Sequence, residues 1–200
     1  IMKMSVVGPE FKKRYLSNKE TPNSFTVKAI VFDGPEHYHK EINNPELKID
    51  ENCILIIRGC GPIGYPGAAE VVNMQPPDYL LKKGISSLPC LGDGRQSGTS
   101  ESPSILNVSP EAAIGGGLSI LKNGDLIKID LASKRVDLLL DEKDIAVRKN
   151  NTNFIFPKNQ TPWQEIARKF TGQLSNGACM DLEENYFDIA RTKGIPRDNH

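Results

Sequence analysis

Apolar residues along this chain fall into short runs separated by glycine- and proline-rich breaks. Thr26–Phe32 (TVKAIVF) is rich in β-branched and aromatic residues and reads as a strand. Ile54–Ile57 (ILII) is apolar at every position, as in a strand buried on both faces of a parallel sheet. Ser87–Leu91, Leu126–Leu131 and Arg135–Leu140 complete the strand set, with Leu118–Leu121 predicted to turn at Asn123-Gly124 into Leu126 as a hairpin. Helices are predicted between them. Asp33 caps one that has Pro35 near its first turn and runs to about Ile42. Ala68–Asn73 forms a second, and Asp78–Lys83 a third that Gly84 stops. Ser109-Pro110-Glu111 has the grammar of a fourth, with serine as cap and proline at the first helical position. Asp141–Lys149 reads as a charged surface helix, and the capping box Thr161-Pro162-Trp163-Gln164 opens one that reaches about Gln173. The expected organisation is a loosely held lead-in over 1–24, a mixed α/β domain over 25–150 and a helical C-terminal arm over 151–200.

Two hundred residues are enough for one domain with a true core. Twenty-five basic side chains balance twenty-five acidic ones, so no basic stripe points to nucleic acid. No apolar run approaches the ~20 residues of a membrane span, and the start, IMKMSVVGPEFKKRY, lacks the continuous apolar stretch of an export signal. Cys53, Cys60, Cys90 and Cys179 form no CxxC pair. They read as scattered reduced thiols of a cytosolic protein, and their spacing offers no self-contained metal or cluster site.

Two loops hold the candidate chemistry. GCGPIGYPG at 59–67 follows the ILII strand, and GDGRQSGTSESPSILN at 92–107 follows Ser87–Leu91. The second is so polar that it is expected outside the core, with its glycines allowing close approach of a ligand. Loops at strand ends in α/β architectures converge on one crevice. Glu70, expected one turn into the helix after the first loop, is either a helix-end carboxylate or a ligand for a hard cation such as Mg²⁺. Ser97 and Thr99 flank Gly98 and place two hydroxyls on one side of an extended stretch, as turn-formers or as catalytic groups. A hydrolase triad is not expected: there is no GxSxG elbow, and His37, His39 and His200 stand in no recognisable context.

Three long motifs then converge. GCGPIGYPGAAEVVNMQPP, LPCLGDGRQSGTSESPSILN and SPEAAIGGGLSILKNGDLIKIDL resemble, in the same order, the C-terminal domain of the dihydroxy-acid dehydratase/6-phosphogluconate dehydratase family. QSGTS followed by SPSILN, the TPWQEI helix and the closing GIPRDNH resemble its sugar-acid branch, the L-arabinonate and D-xylonate dehydratases. The likeness is read from about Ala29 to His200.

The resemblance implies a swivelling β/β/α barrel and a hydro-lyase that removes water from a 2,3-dihydroxy acid, leaving a 2-keto-3-deoxy acid after tautomerisation. It implies an iron–sulfur cluster, of the 2Fe–2S kind, acting on the departing 3-hydroxyl, and Mg²⁺ on the carboxylate and 2-hydroxyl. Such help is chemically apt, because an α-proton beside a carboxylate is very weakly acidic. Ser97 takes the place of the family's base, an alkoxide stabilised by the cluster. Thr99 takes that of a substrate-positioning residue, and Glu70 that of a Mg²⁺ ligand. Family members are about three times this length, and their cluster cysteines and remaining Mg²⁺ ligands belong to an N-terminal domain. That domain is the implied partner, in a cytoplasmic homo-oligomer. None of the four cysteines here stands in a cluster motif, and Glu101 stands where the branch has glycine. The chain alone is therefore expected to be inactive. The competing expectation is a stand-alone, non-catalytic ligand-binding module from a truncated gene.

Overall fold

The computed structural model describes residues 9–67, 70–71, 73–96, 104–180, 188 and 191–194. Among them six strands form one sheet in the order β6-β4-β2-β1-β7-β8. β1 is Ser24–Asp33, β2 Cys53–Arg58, β4 Cys90–Gly92, β6 Ser104–Ile105, β7 Leu126–Asp130 and β8 Arg135–Leu138. The first four run parallel, whereas β7 and β8 lie antiparallel to β1 and to each other. A separate parallel pair joins β3, Glu70–Val71, to β5, Arg95–Gln96.

Alternation along the central strands makes two cores. Val27, Ala29 and Val31 of β1 join Ile54 and Ile56 of β2 on one face, together with Leu118 and Ile127. Ile30 and Phe32 join Leu55 and Ile57 on the other, against Tyr38, Met74 and Leu88. From Cys53 to Ile57 β2 is apolar and buried at every position because both of its faces are covered. The tyrosine comes from α2, Gly34–Glu41, and that second core also takes Leu80 from α3, Asp78–Leu81. Within the lead-in, α1 (Pro9–Tyr15) buries Phe11 edge-on to Phe25, their ring centroids 5.6 Å apart. The sheet curls: Ile105 of one edge strand and Val136 of the other line a single groove of about 320 Å³.

The α/β class and most elements match the sequence pattern, including α4 at Glu142–Asn150 and α5 at Pro162–Phe170 with the full Thr161/Gln164 capping box. Four expectations are corrected. The Ala68–Asn73 helix gives way to strand β3 at Glu70–Val71, which finds a ladder partner in β5. Leu118–Leu121 is no hairpin strand: Gly117–Ile120 is a 3-10 turn, because Nη1 of Arg58 takes the carbonyls of Leu118, Ser119 and Leu121 at 2.9–3.0 Å. The hairpin is instead β7–β8. Ser109 caps nothing; its hydroxyl is buried without a partner, the Ser109–Pro110 bond is cis, and the short turn Ala112–Ile114 starts after Glu111. Finally, the polar loop is partly core: Gly92, Asp93, Gly94 and Gln96 are buried.

Candidate active site

Because β1, β2 and β4 are parallel neighbours, Asp33, Arg58 and Asp93 emerge at one sheet edge. Arg58 donates from Nε to Asp33 Oδ1 at 2.6 Å while its Nη1 fastens the 118–121 turn. Asp33 occupies the cap position of α2, but its carboxylate serves Arg58 and makes no cap bond. Its backbone N–H donates to Nδ1 of His37, so that imidazole is engaged locally. A cavity of about 370 Å³ opens here, lined by Asp33, Arg58, Gly59, Tyr65, Ser119 and Phe154 among others.

Two fully buried carboxylates organise the loops. Asp93 accepts the backbone N–H groups of Gly59 (3.0 Å), Cys60 (2.9 Å) and Ala112 (2.9 Å), tying three segments to one side chain. Burial pushes its carboxyl above the usual range; the three donors oppose this, and the nearby Glu111 charge adds to it. Glu111 accepts from the N–H groups of Ile63 (3.0 Å) and Gly64 (2.8 Å) and from Nε2 of Gln173 (2.7 Å). Oε1 of Gln173 takes the Glu111 N–H in return, at 3.1 Å. Glycine is required in this packing: a Cβ on Gly61 would lie 2.4 Å from the Glu111 carboxylate, and one on Gly94 2.3 Å from the Cys60 carbonyl.

β3 and β5 bring the two loops together, with Glu70 opposite Arg95. Glu70 is exposed, with no hydrogen bond or ion pair to a described residue. Ser97 and Thr99 lie outside the described residues, next in sequence after β5. No group of three His, Cys, Asp or Glu side chains suited to a metal ion occurs among the described residues. The cysteines do not fit a cluster: Cys53, Cys60 and Cys90 are buried, and burial together with the Asp93 charge pushes the Cys60 thiol from 9.0 up to about 12. A neutral thiol is a poor ligand where thiolate is needed.

Asp93, Glu111, Gln173 and Arg58 are the residues sequence reasoning missed. An aspartate between two glycines after a strand was the one local signal. The Glu111–Gln173 partnership spans 62 positions and leaves none.

These features define an α/β domain whose strand-end loops are braced from beneath by buried carboxylates, with the Glu70 carboxylate exposed beside them. The chain belongs to the family described as dihydroxy-acid/6-phosphogluconate dehydratase C-terminal, which matches residues 1–178. The likeness thus includes the lead-in, which had been expected to fall outside it. Over 200 residues, all of this chain and 33% of the relative, it is 60% identical to the D-xylonate dehydratase of Caulobacter vibrioides. It is 46% identical to the L-arabinonate dehydratase of Rhizobium leguminosarum bv. trifolii over 86% of this chain and 29% of the relative. A dihydroxy-acid dehydratase of Methanothrix thermoacetophila is 41% identical over 76% of this chain and 27% of the relative. The chain spans about a third of the length of the curated relatives it matches.

Proposed function

We propose that this chain is the C-terminal, swivelling β/β/α domain of a cytoplasmic, homo-oligomeric hydro-lyase that dehydrates a sugar acid to its 2-keto-3-deoxy acid. The 60% identity to a D-xylonate dehydratase along the whole chain carries this reading. Its roles divide among three side chains. Ser97 takes the proton from C2, the C2–H electron pair becomes the C2–C3 double bond as the C3–O bond breaks, the abstracted proton joins the departing hydroxide to make water, and the enol tautomerises to the ketone. Thr99 holds the substrate beside it. Glu70 supplies a carboxylate to Mg²⁺, which when bound neutralises charge building on the substrate carboxylate. The pairing of Glu70 with Arg95, two positions before Ser97, supports a shared site for ligand and base. The iron–sulfur cluster is assigned to an N-terminal domain, since no cysteine set here fits it.

The test is Ser97→Ala in a full-length enzyme carrying this chain as its C-terminal third. Turnover of D-xylonate or L-arabinonate should be abolished while the cluster absorbance persists. Retained activity removes Ser97 as the base.

A further inference from the structure

α5 is turned the wrong way for a helix that packs only on its own domain. Trp163, Ile166, Ala167 and Phe170 recur at i, i+3, i+4 and i+7 and form one apolar face, yet none is buried. Trp163 is 77% exposed. The polar Arg168 faces the domain instead, donating from Nε to the Ile63 carbonyl and from Nη1 to the Pro157 carbonyl, both at 3.0 Å. The segment leading into α5 adds Ile155, 88% exposed, and Phe156, whose ring lies under the Arg168 guanidinium. Exposed aromatic and aliphatic groups gathered in this way mark a contact surface.

We propose that this face is where the upstream two-thirds of the dehydratase docks. The inference rests on the reading of the chain as a dehydratase domain. The occupant follows from two observations. The relatives extend well beyond this chain, which accounts for 33% of the D-xylonate dehydratase. The helix that carries the face is also tied to the candidate loop: Arg168, on its domain side, holds the Ile63 carbonyl, and the Phe154 ring lies where a side chain on Gly59 would be. A domain docking here covers the apolar face beside the 59–67 loop.

The experiment compares thiol labelling at position 163 in two settings. Trp163→Cys is combined with Cys179→Ser, which removes the exposed native thiol. Maleimide labelling is followed in the isolated chain and in a full-length enzyme that joins this chain to the N-terminal two-thirds of the Caulobacter D-xylonate dehydratase. Hydrogen exchange over 161–171 in the unsubstituted proteins provides a second measurement, independent of the substitutions. Labelling at least tenfold slower in the full-length enzyme, with new exchange protection over 161–171, is the expected result. Equal rates with unchanged exchange overturn the proposal. So does protection in the isolated chain that grows with its concentration, which assigns the face to a second copy. Dehydration of D-xylonate scores the functional reading separately: an active enzyme with freely labelled α5 loses only the docking, and an inactive one with protected α5 loses only the activity.

Discussion

Asp93 shows how much one side chain can hold. Its Oδ2 serves Gly59 and Ala112 and its Oδ1 serves Cys60, so removing it strands three backbone donors, two of them buried. Each such group costs about 1–3 kcal/mol when left unmet. Even at the low end, about 3 kcal/mol in all, Asp93→Ala should therefore lower the thermal midpoint by at least roughly 6–12 °C, at about 2–4 °C per kcal/mol for a protein of this size. Asp93→Asn should cost clearly less, because one amide oxygen can keep two of the three bonds. Circular-dichroism melts of the two variants check the ranking, and equal midpoints would remove the clamp. Cys60 makes a second residue-level prediction, with a definite sign. Its folded value of about 12 lies above its ordinary 9.0, so the stability linked to the neutral thiol is full below pH 9 and is lost as pH rises toward 12. Melts between pH 8 and 11 should fall more steeply for the native protein than for Cys60→Ala.

At the level of elements, neighbouring glycines separate into those that packing demands and those it does not. A Cβ on Gly116 would lie 1.8 Å from the Pro110 carbonyl oxygen, whereas one on Gly117 meets nothing within 4 Å. Gly116→Ala should cost at least the upper end of the ~1–3 kcal/mol usual for overpacking, and Gly117→Ala should stay within about 0.5 kcal/mol of the native protein. Urea midpoints distinguish the two. Thr161 caps α5 from outside the core, so Thr161→Ala should cost about 1 kcal/mol locally. Faster hydrogen exchange within 162–170, with little change in the global melt, is the expected signature. The capping box, α4 and β2 were legible because each depends on residues close in sequence. The strand at Glu70–Val71 was not, since a glycine loop followed by Ala-Ala-Glu carries helical propensity while pairing with β5 decides for strand.

For the whole molecule, the arrangement predicts a folded but catalytically silent chain. Its described residues include no group of three His, Cys, Asp or Glu side chains that could hold a metal ion. The isolated chain should melt cooperatively and show no dehydration of D-xylonate at any Mg²⁺ concentration; turnover by the purified chain would overturn the assignment of missing groups to another domain.

Sequence alone determined the α/β class, the two glycine loops, the family likeness and the identities of Glu70, Ser97 and Thr99 as residues to watch. Those signals are local: periodicity, caps and contiguous motifs. Tertiary structure decided that the polar loop is anchored in the core, that Arg58 makes a turn of Leu118–Leu121, and that Glu111 and Gln173 meet. It also decided that the apolar face of α5 points outward. Such choices depend on where distant backbone donors and carbonyls find partners once the sheet has formed, and separation along the chain hides that from any local pattern.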